Sequence, residues 1–148
     1  MRLQSAIFML EDTLLREDGT AREGLDKVLP IFKMESVWLY AVTEKTHAEG
    51  EAELKRAGLS DYFRGVLSSE IACCPYDSGT MFERAMKRML SDKRDTVVFA
   101  GHLAAIENAK EAGFRTVAVS GAADAEEWDK MTAIATETLE RYEDYLAE

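Results

Sequence analysis

Five residues with chemically useful side chains stand out in this 148-residue chain. Glu11 and Asp12 follow the first apolar run, Thr43 ends the second, Cys74 precedes a proline, and His102 follows a later apolar run. Carboxylates and an imidazole can act as general acids or bases, and a thiolate can act as a nucleophile or metal ligand. Which of them can act together depends on the elements that position them.

The apolar runs predict strands buried on both faces. Runs 6–10, 37–42, 96–100 and 116–119 lack polar alternation, and Val66-Leu67 indicates a further strand. Segments with helical spacing separate these runs. This alternation predicts an α/β fold, a doubly wound parallel sheet of about five strands with helices on both faces.

Composition narrows the class of protein. The length predicts a single domain over residues 1–148, and the 47% hydrophobic content is ordinary for a globular protein. A net charge of −10 argues against nucleic acid or a membrane surface as partner. Cys73 and Cys74 are adjacent, which argues against a disulfide framework and favours a reducing, cytoplasmic location.

The segment Ala6-Ile7-Phe8-Met9-Leu10-Glu11-Asp12-Thr13-Leu14 resembles the first motif of the haloacid dehalogenase (HAD) phosphohydrolases, Asp-x-Asp-Gly-Thr-Leu. In that family the first Asp attacks a phosphoryl group and the second handles the leaving-group proton. The alignment puts Met9 at the nucleophile, Glu11 at the acid/base and Asp12 at the glycine. A thioether can neither attack phosphorus nor hold Mg²⁺, which prefers oxygen ligands.

Three later segments resemble the remaining HAD motifs. Thr43 matches the hydroxyl residue that holds the phosphate, whereas Cys74 stands where the family places a lysine. Gly101 is kept in the fourth motif, but His102 replaces its first acid and the second falls at Ala105. The last match requires one residue to be deleted after Gly101.

The resemblance implies a Rossmann-like core of three α/β/α layers with strand order 3-2-1-4-5. Only residues 15–36 separate the first two motifs, which is too little for the helical cap domain that related enzymes insert there. We therefore expect an open pocket at the carboxyl ends of the strands. Met9, Thr43, Cys74 and His102 are expected to cluster there.

These replacements predict a non-catalytic HAD-like protein, a pseudophosphatase that acts by binding or interaction. Thr13, Thr43 and Gly101 remain as candidates to contact a phosphate or another ligand. No cofactor is expected, because the family's Mg²⁺ depends on carboxylates that this chain lacks.

Two further hypotheses use the unusual residues themselves. A hydrolase could retain activity through Glu11, Asp12, Cys74 and His102. Alternatively, Met9, Cys74 and His102 form a soft ligand set suited to copper or zinc. The simpler interpretation makes Met9 a core residue, Glu11 a solvated carboxylate, His102 a hydrogen-bonded loop residue and Cys74 an inert thiol.

The C-terminal segment allows two structures. Apolar residues at steps of three and four from position 128 onward predict an amphipathic helix, whereas the resemblance implies a helix to about Ala135, a strand near Thr138-Leu139 and a final turn. Tyr142, Tyr145 and Leu146 either project beyond the helical layer or belong to a tail docked on its own domain, and the docked tail is the favoured interpretation. If they project, they are candidates for a partner or self-association surface.

Overall fold

The computed structural model describes residues 3–121 and 123–147, with the side chains of residues 146 and 147 excepted. Six parallel strands form one sheet in the order β3-β2-β1-β4-β5-β6. Their bounds are β1 (Ser5–Met9), β2 (Trp38–Thr43), β3 (Gly65–Ser68), β4 (Thr96–Ala100), β5 (Arg115–Val119) and β6 (Glu137–Leu139). The predicted order is confirmed, and β6 adds one strand at the edge.

Helices cover both faces of this sheet. They are α1 (Leu25–Met34), α2 (His47–Arg56), α3 (Ser69–Ala72), α4 (Gly79–Arg88), α5 (Leu103–Glu111) and α6 (Ala125–Ile134), with short 3₁₀ turns at Ser60–Tyr62, Lys93–Asp95 and Tyr142–Ala147. The residue before α2 illustrates the local signals. The Thr46 side chain accepts a hydrogen bond from the Glu49 N–H, and the Glu49 carboxylate accepts one from the Thr46 N–H. These two bonds form a capping box.

The strands bury different side chains on the two faces. One face carries an aromatic cluster of Phe8, Phe32, Phe63 and Phe99, in which the Phe8 and Phe99 rings stack with centroids 4.3 Å apart. The other face carries a methionine cluster, which contains five of the seven methionines: Met9, Met81, Met86, Met89 and Met131. Because strand side chains alternate, the neighbours Phe8 and Met9 of β1 lie in different clusters.

Between β1 and β2 the chain forms only a small hairpin and α1. The hairpin closes through the Arg16 N–H to the Thr20 carbonyl, and Gly19 adopts the positive φ (87°) that the turn requires. No cap domain is inserted between residues 15 and 36, as predicted. No helix in the described part of the chain has the length and apolar character needed to span a membrane.

The C-terminal segment has the second of the two structures that the sequence allowed, a helix followed by a strand and a turn. The helix ends at Ile134, β6 follows, and the chain finishes in the last 3₁₀ turn, so the continuous amphipathic helix does not form. Tyr142 is fully buried and its hydroxyl donates to the Thr13 carbonyl at 2.7 Å. Tyr145 packs on Phe32 with centroids 5.1 Å apart. The interpretation in which Tyr142 and Tyr145 project was wrong, and the Leu146 side chain lies outside the described residues.

Candidate functional site

Met9 is the last residue of β1 and is fully inaccessible to solvent. Its side chain lies in the methionine cluster, against which Cys74 also packs. A buried thioether among apolar groups offers neither a nucleophile nor a hard ligand at the position that aligns with the family's attacking aspartate.

The loop after β1 keeps the shape that the motif requires. Asp12 stands at the family's glycine and adopts φ 62°, the left-handed region that Asp tolerates better than most residues. The Gly101 N–H donates to the Thr13 hydroxyl at 3.0 Å. A Cβ on Gly101 would lie 2.5 Å from the Asp12 carbonyl oxygen, so only glycine fits there. Arg22 donates to the same carbonyl at 2.9 Å and ties the loop to the Ser120 carbonyl.

Glu11 is held by the end of the neighbouring strand. The Thr43 hydroxyl lies 2.9 and 2.8 Å from its two carboxylate oxygens, and the Glu44 N–H donates at 2.9 Å. Burial raises the pKa of Glu11, and these hydrogen bonds offset part of that effect. The expectation of a solvated carboxylate was therefore wrong. The donors that the family directs at phosphate are directed here at a side chain of the protein itself.

Cys74 and His102 lie at the same edge of the sheet but have separate partners. The Cys74 thiol contacts the Met81 sulfur at 3.9 Å, and Cys73 is exposed, with both cysteines free. His102 Nε2 lies 3.4 Å from an Asp77 carboxylate oxygen, whereas Nδ1 is buried with no hydrogen-bond partner among the described residues. The imidazole is therefore a paired loop residue, as the simpler interpretation predicted.

Several carboxylates surround Tyr76 at the carboxyl ends of the strands. The pKa of Tyr76 rises to about 12, first because the phenol is partly buried and then because nearby carboxylates disfavour its ionisation. Those carboxylates belong to Glu44, Asp77, Glu11 and Asp12. Lys45 is the cation that acts on Glu11, and its ammonium pairs with Glu53 at 2.7 Å. These carboxylates oppose the approach of an anion to Tyr76.

The fourth motif offers no carboxylate. Helix α5 begins at Leu103, two residues after Gly101, and Ala105 is fully buried in its first turn. The positions that align with the family's acids therefore carry the methyl group of Ala105, the thioether of Met9 and the imidazole of His102. Such a donor set does not fit Mg²⁺, which requires oxygen ligands in octahedral geometry. In the described part of the chain, no three His, Cys, Asp or Glu side chains are grouped so that they could hold a metal ion.

A cleft of about 510 Å³ lies beside the loop after β1 and is lined by Asp12, Leu15, Arg16, Glu17, Arg22 and Gly121. The hairpin forms one wall, and no cap domain from residues 15–36 covers the cleft. Met9, Thr43, Cys74 and His102 do not line this cleft, so an open pocket formed around those four residues stays a prediction.

Three residues of this region escaped sequence reasoning. Asp77 pairs with His102, the Glu44 N–H binds Glu11, and Arg22 crosslinks two loops. Glu44 directly follows Thr43 in the sequence, which was an available signal that both residues donate to Glu11. Asp77 and Arg22 carried no such signal, because Asp77 lies 25 residues from His102 and Arg22 bonds to backbone carbonyls 10 and 98 residues away.

Comparison with known proteins agrees with this fold. No protein-family model matches the chain. A probable phosphatase of Dickeya dadantii, IndB, is 28% identical over 120 residues, which cover 81% of this chain and 52% of IndB. The chain thus spans about half of the length of that curated relative.

Solved structures are similar over nearly the whole chain. A haloacid dehalogenase-like hydrolase of Streptococcus pneumoniae has a TM-score of 0.82 at 12% identity, covering 98% of this chain and 97% of its own. A HAD-superfamily hydrolase of subfamily IA from Geobacter sulfurreducens has a TM-score of 0.77 at 12% identity, with 98% coverage of both. YfnB of Bacillus subtilis, solved bound to magnesium, has a TM-score of 0.78 at 13% identity, covering 99% and 98%. The chain therefore has the fold of the HAD-superfamily hydrolases, as its motifs predicted.

Proposed function

We propose that this chain is a non-catalytic HAD-like protein, a pseudophosphatase that acts by binding at its strand-end edge. The observation that carries the proposal is Met9, which occupies the nucleophile position as a fully buried core side chain. Loss of the nucleophile from an enzyme with a covalent mechanism costs roughly a millionfold in rate, so the remaining groups leave no measurable family chemistry.

The surroundings of Met9 support the same conclusion. The lysine that offsets charge in the family is Cys74 here, and the thiol lies against the Met81 sulfur rather than against an ion pair. Glu11 and Asp12 add negative charge where a phosphoryl group would have to approach. HAD chemistry brings two anions together and depends on cations to offset their repulsion, whereas Lys45 is paired with Glu53 here and Arg22 is bonded to backbone carbonyls.

The binding role is proposed for Thr13, Thr43 and Gly101. Thr13 and Gly101 shape the loop through their mutual hydrogen bond, and the Thr43 hydroxyl at the end of β2 could donate to a ligand only after releasing Glu11. The cleft beside this loop is lined by other residues, among them Asp12, Arg16 and Arg22, whereas Thr13, Thr43 and Gly101 are buried.

A phosphatase assay tests the proposal. Purified protein with Mg²⁺ and p-nitrophenyl phosphate should show no turnover above a buffer control, whereas a capped HAD phosphatase assayed in parallel should be active. The competing hypothesis is a hydrolase, as the name of IndB would suggest. Turnover that disappears in both Glu11→Gln and Asp12→Asn would establish that hypothesis and end the pseudophosphatase proposal.

The soft metal set of Met9, Cys74 and His102 stays a prediction. Its members contact Met81 and Asp77 in this structure, so a metal would have to displace His102 from Asp77. Titration with Zn²⁺ or Cu⁺, monitored by thermal shift, should give the same response in wild type and in His102→Ala if these residues only pack.

A further inference from the structure

The Thr43 hydroxyl and the Glu44 N–H form a pair of donors at the carboxyl end of β2. Both point to the Glu11 carboxylate, with donor–acceptor distances of 2.8 to 2.9 Å. The Thr43 oxygen also accepts the Lys45 N–H at 3.0 Å, which leaves its own proton directed at Glu11. Two converging donors beside a positive side chain are the chemistry that recognises an oxyanion.

Glu11 reaches these donors from another strand. Its backbone lies in the loop after β1, and its partner Thr43 lies 32 residues away at the end of β2. An aspartate at the same position would be shorter by one methylene, about 1.5 Å, and its carboxylate would withdraw from the donors. The length of the Glu11 side chain is therefore what allows it to take both hydrogen bonds.

A carboxylate and a phosphate compete for the same donors, because both offer anionic oxygen acceptors. While the Glu11 carboxylate accepts from Thr43 and Glu44, an external oxyanion must displace it and tolerate its charge. Lys45 lies close enough to act on Glu11 and would act equally on a bound anion. The Thr43 hydroxyl and the Glu44 N–H are thus already occupied by a side chain of the protein itself.

We propose that Glu11 is an internal ligand that blocks an oxyanion-binding site formed by the Thr43 hydroxyl and the Glu44 N–H. The blocked ligand class is the small tetrahedral oxyanion, inorganic phosphate or the phosphate group of a monoester. This inference rests on the proposed non-catalytic function, because an active enzyme would need the same donors for its substrate. The proposal assigns to Glu11 a role distinct from acid/base catalysis.

Phosphate titration tests the blocking role directly. Wild type, Glu11→Ala and Asp12→Asn are titrated with inorganic phosphate without Mg²⁺, at constant ionic strength, while the backbone amide signals of Glu44 and Lys45 are followed by NMR. Asp12→Asn is the charge-matched control, because it removes one carboxylate from the same loop and leaves Glu11 in place. We expect Glu11→Ala to bind phosphate in the millimolar range, at least about tenfold more tightly than wild type and Asp12→Asn.

Two further variants complete the test. Thr43→Val added to Glu11→Ala should abolish the gain, because the hydroxyl donor is lost. If Glu11→Ala does not fold, the nearly isosteric Glu11→Gln takes its place, and it should bind more tightly than wild type because the competing charge is gone. The same phosphate affinity in wild type and in the folded Glu11 variant would overturn the blocking role, as would a gain that survives Thr43→Val.

The two proposals fail in different experiments. The titration contains no Mg²⁺ and measures no turnover, so equal phosphate binding by wild type and Glu11→Ala removes the internal ligand and leaves the pseudophosphatase proposal standing. Hydrolysis of p-nitrophenyl phosphate by wild type would remove the pseudophosphatase proposal whatever the titration gives.

Discussion

The two faces of the sheet differ in how they hold their cores. The aromatic cluster consists of rings in fixed stacked and edge contacts, with centroids 4.3 to 6.4 Å apart. The methionine cluster places five flexible, unbranched methionine side chains, which can fill irregular space, among alanine, branched aliphatic and aromatic residues. Met9, at the position that aligns with the family's nucleophile, belongs to the second cluster. An adaptable core can accept a large apolar side chain where a carboxylate stands in the family, which the ring cluster could do only with strain.

The largest change in the free energy of unfolding is expected when a carboxyl group replaces Met9 in the methionine cluster. Met9→Asp should lower the free energy of unfolding by about 3 kcal/mol, because a carboxyl would be buried among sulfur and methyl groups without a hydrogen-bond partner. Urea denaturation measures this loss, with Met9→Leu as the control that should change it by less than about 1.5 kcal/mol. A Met9→Asp variant as stable as wild type would show that the nucleophile position is still polar.

A matched pair of substitutions tests the contrast between the clusters. Phe99→Leu should lower the free energy of unfolding by about 2 kcal/mol, because it removes the ring stacked on Phe8 and leaves a void. Met81→Leu on the other face should cost less than about 1.5 kcal/mol, because the volume is nearly conserved. Urea denaturation of both variants gives the comparison, and equal losses would remove the distinction between the faces.

Tyr142 connects the C-terminal turn to the loop after β1. Tyr142→Phe should lower the free energy of unfolding by about 1 kcal/mol, since the buried Thr13 carbonyl loses its hydroxyl donor. Tyr40→Phe is the control, because the Tyr40 hydroxyl has no hydrogen bond among the described residues and its loss should change stability by less than about 0.5 kcal/mol. Thermal denaturation that ranks the two variants in the opposite order would contradict this role.

The smallest effect is a pH dependence. Because burial raises the pKa of Glu11 above its usual 4.5, the folded protein binds this proton more tightly than the unfolded chain. The Glu44 charge adds to that rise, and Lys45 and the hydrogen bonds from Thr43 and Glu44 oppose it. The resulting stability is present below the unfolded pKa and is lost as pH rises through the folded one. Wild type should therefore lose stability relative to Glu11→Gln between acidic and neutral pH.

Glu49 provides a control of opposite sign. Its pKa is lowered by the Thr46 hydrogen bonds of the capping box, so its contribution is present at neutral pH and is lost on acidification. Chemical denaturation of wild type, Glu11→Gln and Glu49→Gln across this pH range should give opposite slopes for the two differences. The same slope for both would show that burial does not dominate at Glu11.

Much of the framework was predictable from the sequence. Buried parallel strands require continuous apolar runs, and those runs placed β1, β2, β4 and β5 correctly. Thr46 and Ser78 were recognisable as helix starts, because their side chains satisfy N–H groups only three residues away. Thr13 and Gly101, which match the family motifs, hydrogen-bond to each other in the loop after β1. Each of these signals is local or depends on residue type alone.

The site was predictable only in part. The motif order indicated that Met9, Thr43, Cys74 and His102 lie at one edge of the sheet, and that edge is where the fold places them. Their partners were not predictable, because a hydrogen bond depends on side-chain direction and on distances of a few tenths of an ångström. The Glu11 carboxylate was expected to be solvated because its partner could not be predicted. In the structure it accepts a hydrogen bond from the Thr43 hydroxyl.

The sequence by itself determined the parallel α/β sheet, since continuous apolar runs carry that information, and the family resemblance predicted the strand order and the replacement of the reactive residues. Only the tertiary structure decided that Glu11 takes the donors at the end of β2 and that Tyr142 turns inward to Thr13. Those contacts join residues 32, 33 and 129 positions apart. Such pairs are chosen by packing of the whole chain, because only the assembled sheet brings their strands and turns within hydrogen-bonding distance.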